Sequence, residues 1–168
     1  MFEEKNKEEK NKIVICVSHC DDEVIGCYEV IENNKDNPPI ILYFGDQPQN
    51  RRSESMKLKE FTNVSMQLFC NSVPPILIDP STTFYFPSPV DEIHPDHRRL
   101  GVMGESMLRN NGLDVIFYTT TMTVSYIHET KNPKGKEELL NNVYPSQSDL
   151  WKYEKKYILF EGYNKWIM

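Results

Sequence analysis

An unbroken apolar, β-branched run at residues 13–17 (IVICV), set between charged residues and Ser18-His19, constrains this chain most. A strand with one wetted face alternates polar and apolar side chains. A run with no polar residue belongs to a strand covered on both faces, as in a parallel sheet between helices. Asp21, Asp22 and Glu23 follow, ahead of a mixed apolar stretch (Val24, Ile25, Cys27, Tyr28, Val30, Ile31). Acidic residues favour the first turn of a helix, where unpaired N–H groups carry partial positive charge. A helix is therefore expected after the strand, fading at Asn33-Asn34 before Pro38-Pro39.

The alternation continues. Residues 40–44 (IILYF) read as a second buried strand, and Ser53 is placed to cap a helix running to about Cys70. Pro74-Pro75 stops that helix, and residues 76–78 read as a short third strand. Residues 79–93, rich in Pro, Ser and Thr, read as a loop longer than most connections, and such loops are often functional. A helix follows from about Arg98 to Asn110, with Gly112 as the residue that ends it. Further strands are expected at 115–118 (VIFY) and 123–127, and helices at 136–143 and 150–163, separated by Pro145. In 168 residues this pattern predicts one α/β domain, three-layered, with a mainly parallel sheet. The domain is expected over residues 13–168, behind a charged N-terminal tail at 1–12 (MFEEKNKEEKNK).

The formal net charge is −6, which sets this chain against duplex nucleic acid or an anionic membrane as partner. The N-terminus has no apolar core for a signal peptide, and no stretch approaches ~18 consecutive apolar residues. A cytoplasmic protein with no stable membrane anchor is expected. None of the four cysteines (Cys16, Cys20, Cys27, Cys70) forms a C-x-x-C pair, so they read as buried thiols in a reducing compartment rather than as a thiolate zinc knuckle.

Two clusters carry chemistry. His19-Cys20-Asp21-Asp22-Glu23 directly follows the first strand, at the carboxyl end where open α/β sheets place ligands. A His and an Asp three residues apart on a tight turn can converge on one cation, and imidazole nitrogen and carboxylate oxygen both ligate zinc. The intervening Asp21 can then face a metal-bound water. Taken alone, the run is as readily an acidic helix start beside a stray histidine. His94-Pro95-Asp96-His97 is the second cluster, at a loop-to-helix boundary. One of its histidines can complete a His-Asp-His triad, the three-ligand set of a catalytic zinc with an open position. The other can hydrogen-bond a developing oxyanion, with Asp96 orienting it. Alone, this cluster reads as a helix cap; together, the two favour a metal site.

In combination, H-x-D-D-E after the first strand and H-P-D-H before a later helix resemble the signature motifs of the LmbE/PIG-L-like N-acetylglucosaminyl deacetylases. Arg51-Arg52-Ser53-Glu54, Asp79 and Ser146-Gln147 are weaker matches, and the resemblance spans about residues 13–163. It implies a Rossmann-like sheet, a divalent metal (usually Zn2+) and removal of an acetyl group from an N-acetylated amino sugar, a small-molecule conjugate. By position, His19, Asp22 and His97 match the metal ligands, and Asp21 the general base. His94 matches the histidine that stabilises the oxyanion, and Asp96 the carboxylate that tunes it. Arg51 or Arg52 falls where substrate is contacted. Fe2+ and Co2+ occupy similar ligand sets. Two positions depart from the pattern: Cys20 stands where Pro is usual, and Tyr144 where His is frequent.

Other residues weigh less. Tyr153, Tyr157, Phe160, Tyr163 and Trp166 recur at roughly helical spacing and suit core or subunit packing, so a homo-oligomer is compatible with them. Phe84-Tyr85-Phe86 suits packing on the sheet as well as lining a site. Arg98-Arg99 read as a solvated helix face, and His128 as a loop histidine. Two other functions stay open on the residues alone. One is a metal-dependent hydrolase of another amide or of a phosphoester; the other is a metal- or sugar-binding module without catalysis.

Overall fold

The computed structural model describes residues 11–122 and 124–165. One sheet of seven strands runs in the order β3-β2-β1-β4-β5-β7-β6. β1 (Lys12–Val17) is flanked in parallel by β2 (Ile40–Phe44) and β4 (Thr82–Pro87). β3 (Met66–Cys70) continues the sheet beyond β2, and β5 (Asp114–Tyr118) beyond β4, again parallel. β7 (Phe160–Asn164) and β6 (Ile127–Glu129) add an antiparallel border next to β5.

β1 is apolar throughout because both its faces are covered. Ile15 and Val17 point into a core shared with α1 (Asp22–Asn33), α5 (Pro133–Val143), α6 (Ser148–Tyr153) and α7 (Lys156–Leu159), packing among Val24, Leu140, Trp151 and Ile158. Val14 and Cys16 point the other way, into a core with Phe84, Phe86, Phe117 and, from α4 (Pro95–Asn111), Leu100 and Met107. The result is the expected three-layer, single α/β domain of Rossmann-like design. Gly112 ends α4 at φ 61, as its position after the helix implied. Among the described residues no helix is long and apolar enough to cross a membrane.

Several elements differ from expectation. The segment from Ser53 to Cys70 is not one helix: α2 (Gln49–Ser55) and α3 (Leu58–Phe61) precede strand β3. The Thr62 hydroxyl bonds back to the Leu58 carbonyl at 2.8 Å, and the Ser65 N–H donates to the Pro39 carbonyl at 2.9 Å, which docks the next residues beside β2. The expected strand at 76–78 is a 3-10 turn, Pro75–Leu77, with Ile76 largely exposed. Within the segment read as a loop lies β4, where Phe84 and Phe86 are fully buried. The expected terminal helix breaks into α6, α7 and β7, and the strand expected at 123–127 is β6, at Ile127–Glu129. Thr123 and Trp166 lie outside the described residues.

Close contact between α4 and β4 relies on the absence of side chains. A Cβ on Gly101 would lie 2.4 Å from the Pro87 carbonyl oxygen and 2.6 Å from the Pro89 nitrogen. Backbone atoms cannot rotate aside, so Gly101→Ala is expected to cost about 1–3 kcal/mol. The thermal midpoint should fall by roughly 2–10 °C, which calorimetry reads directly. An unchanged midpoint would mean that α4 slides on the sheet without cost.

The topology places a crevice. From β1 the chain steps to β2 and β3, then crosses back to β4 on the other side of β1. Loops leaving the carboxyl ends of β1 and β4 diverge there, and open sheets bind ligands at such a point.

Candidate metal centre and its cleft

Both sequence clusters meet at this crevice. After β1 the chain makes a tight turn: the His19 N–H donates to Asp22 Oδ2 at 2.9 Å, and the Asp22 N–H to the His19 carbonyl at 3.3 Å. Asp21 caps α1 with a backbone at φ 116, ψ −29, a conformation that non-glycine residues rarely adopt. Its carbonyl accepts from the N–H groups of Val24 and Ile25. On the facing side, His94 is the N-cap of α4, its Nδ1 accepting the Asp96 N–H at 3.2 Å, and Pro95 opens the helix. His97 then projects from the first turn.

His19 Nδ1 lies 3.0 Å from His97 Nε2. Asp22 Oδ2 lies 3.0 Å from that same His97 Nε2 and 3.4 Å from His19 Nδ1. Ligand atoms bound at about 2.0–2.1 Å around a tetrahedral ion stand roughly 3.3 Å apart. The three atoms therefore have the mutual spacing of one face of such a tetrahedron. His94 joins the same neighbourhood: a ring nitrogen from each of His19, His94 and His97 lies within 4.8 Å of the others, a group able to hold a metal ion. Its side chain is half exposed, with Nδ1 already engaged, whereas Asp22 and His97 are buried.

Electrostatics follow from that burial. Burial alone would disfavour charge on Asp22, but His97 and His19 outweigh it and hold the carboxyl well below the usual range. Burial likewise opposes charge on His97, yet Asp22 and Glu92 on either side of the ring raise it to about 10. In the protein without metal, a proton on His97 thus balances the buried carboxylates. Burial pushes the Asp21 carboxyl well above its ordinary range, reinforced by Asp22 and Glu23 and opposed by Arg51 and His97.

Glu92 escaped the reading of the sequence. It is 3% exposed, and its Oε2 takes the His97 Nδ1–H at 3.0 Å. The Thr120 N–H (2.5 Å) and the hydroxyls of Thr120 (2.9 Å) and Thr121 (3.2 Å) hold the carboxylate in place. A carboxylate behind an imidazole fixes its tautomer and leaves Nε2 free as a ligand. The only local signal was a carboxylate two residues before His94; its threonine partners follow β5 and are adjacent only in the fold.

The centre opens into a cleft of about 800 Å³, lined by Asp21, Ile25, Arg51, Ile93, His94 and Gln147 among others. Arg51 hydrogen-bonds Gln147 across it. Arg52 is turned away, its guanidinium 4.4 Å over the Phe69 ring, so the arginine pair is split between the cleft and the outer surface. Asp96 Oδ2 stands between two rings, 3.6 Å from His19 Nε2 and 3.8 Å from His94 Nδ1. Cys20 is fully buried, its thiol pushed up to about 12 by burial and then by Glu23, and it does not line the cleft. Tyr144 is buried too and hydrogen-bonds Glu23. His128 sits away from the cleft, 3.3 Å from Glu29.

Solved structures share this architecture. An N,N'-diacetylchitobiose deacetylase from Pyrococcus horikoshii, solved with an inhibitor, superposes with a TM-score of 0.64 at 19% identity, over 91% of this chain and 83% of that one. A conserved protein from Thermus thermophilus gives a TM-score of 0.65 at 14% identity, over 94% of each chain. No family model matches the sequence, and no curated protein matches it. At such identities the likeness establishes the fold.

Proposed function

We propose that this chain is a zinc-dependent hydrolase that removes the N-acetyl group from a GlcNAc-type amino-sugar conjugate. The observation that carries the proposal is the spacing of His19 Nδ1, Asp22 Oδ2 and His97 Nε2, 3.0–3.4 Å apart, at the end of an open cleft that Asp21 also lines. Two nitrogens and one carboxylate oxygen suit zinc and leave a position open, as catalytic sites require; Fe2+ and Co2+ remain alternatives. Support also comes from the fold shared with the Pyrococcus deacetylase and from the paired H-x-D-D-E and H-P-D-H motifs.

Zinc, when bound, supplies Lewis acidity toward the carbonyl and acidifies a coordinated water. The protein supplies the rest. Asp21 accepts the proton of the attacking water at its carboxylate; as the C–N bond then breaks, Asp21 or His94 returns a proton to the departing nitrogen, which leaves acetate and a free amine. His94 Nδ1 accepts the Asp96 N–H, which leaves Nε2 to carry the proton of the neutral ring. Nε2–H can then donate to the developing oxyanion without a charged imidazole. Glu92 orients His97, and Arg51 with Gln147 offers polar contacts to the substrate beyond the reacting amide.

Metal content and amine release, measured together on a panel of N-acetylglucosamine conjugates, test the proposal. Stoichiometric zinc, amine release and loss of release on chelation are the expected results. No tightly held metal even after reconstitution would sink it. Release of phosphate from phosphoesters, but not of amine from amides, would favour the other hydrolase reading.

A further inference from the structure

We infer that Glu23 is a positioning residue that holds Asp21 in its rare backbone conformation, and that Tyr144 holds Glu23. The inference rests on the proposed role of Asp21 as base. Asp21, at φ 116, is the cap of α1, and the N–H of a cap residue has no partner in the helical ladder. Its partner is Glu23 Oε2 at 3.1 Å. In the usual capping box the reaching carboxylate stands three residues past the cap. Here it stands two past, on a cap whose backbone is left-handed.

Glu23 is fully buried, and its other oxygen accepts the Tyr144 hydroxyl. The chain of bonds continues from Tyr144 to Tyr43 in β2, and Gln67 in β3 donates to the Tyr43 hydroxyl at 2.8 Å. Gln67 is in turn anchored on the Ser55 carbonyl at 2.8 Å. The polar line thus runs from a sheet strand and the end of α5, through the core, to the backbone of one residue. Neither Glu23 nor Tyr144 lines the cleft, so neither can touch substrate. Asp22 meanwhile ties the turn from the other side through the His19 N–H. With its N–H held by Glu23 and the turn closed by Asp22, the backbone that carries the Asp21 side chain is fixed. A base displaced by about 1 Å loses on the order of a hundredfold in rate. In this reading Tyr144 is not a missing cleft histidine; it belongs to the positioning line.

The test uses Glu23→Ala, Glu23→Gln and Tyr144→Phe in the full-length protein, with the first also made in an Asp21→Asn background. Glu23→Ala should keep stoichiometric zinc and a KM within about twofold while kcat falls by roughly 10- to 100-fold. Glu23→Gln, which still offers an oxygen to the Asp21 N–H, should recover most of that loss. In the Asp21→Asn background Glu23→Ala should cost nothing further, because there is no base left to misplace. Independently of activity, hydrogen exchange at the Asp21 amide should be slow in the wild type and accelerate in Glu23→Ala. Should wild-type protein release amine from no conjugate, the functional reading fails while amide exchange still decides the positioning role. Wild-type kcat in Glu23→Ala, or an unchanged Asp21 exchange rate, overturns the inference. If Glu23→Ala does not fold, Tyr144→Phe serves in its place, with a reduced kcat at full metal content expected and an unaltered kcat overturning it.

Discussion

Asp21→Asn is expected to keep the metal of the proposed site and to lose turnover by about a hundredfold or more. The substitution is nearly isosteric, and the three candidate ligand atoms belong to His19, Asp22 and His97, so the metal site is left intact. What disappears is the carboxylate proposed to take a proton from water at the cleft that it lines. The contrast between equal zinc content and unequal amine release therefore separates a base from a ligand. Undiminished turnover in Asp21→Asn would remove Asp21 from the mechanism. Loss of zinc along with turnover would instead make it a ligand. The substitution also removes a carboxyl that burial, Asp22 and Glu23 all disfavour as a charge, so the metal-free variant should be no less stable than the wild type.

His97→Ala is expected to lose the metal of the proposed site, and with it the local balance of charge. The ring stands between two buried carboxylates, Asp22 at 3.0 Å and Glu92 at 3.0 Å. Without it they face each other with no cation between them, and removing one partner of a buried pair costs on the order of 3 kcal/mol. A metal ion at the proposed site would have to displace the proton that Asp22 and Glu92 favour on the His97 ring. Burial works against that proton, but Asp22 and Glu92 outweigh it and hold the ring near about 10. Metal affinity should accordingly rise with pH through neutrality and level off above about 10, with about one proton released per ion bound. Glu92→Gln, which keeps the shape but weakens the grip on the ring, should reduce affinity by about 10- to 100-fold. Calorimetric titration in buffers of different ionisation enthalpy reads both the affinity and the proton count. Retention of stoichiometric zinc by His97→Ala would point to other ligands, with His94 the first to consider.

Much of the candidate site's chemistry is legible in the order of residues along the chain. Ligand types are local facts: His19 and Asp22 sit three residues apart on one turn, and His94 and His97 three apart at a helix start. Their meeting is not local, since His19 and His97 are 78 residues apart and join only through the order in which the strands are laid down. The same limit hid Glu92, whose partners Thr120 and Thr121 follow a different strand. It also left Arg51 and Arg52 undivided, because which one turns inward depends on where α2 lies against Gln147 and Phe69.

The layered α/β class, the central strand and the donor groups follow from the sequence, because burial on two faces and helix-start chemistry are written within a few residues of where they act. That Met66–Cys70 and Thr82–Pro87 are strands follows only from the assembled fold. A short apolar segment suits helix or strand equally, and only a neighbouring edge with unpaired N–H and C=O groups makes extension the better state. The fold also turned two ordinary motifs into one centre. Several buried carboxylates lie together there, and the crossover from β3 to β4 leads to the helix that brings His97 between two of them, Asp22 and Glu92, and offsets their charge.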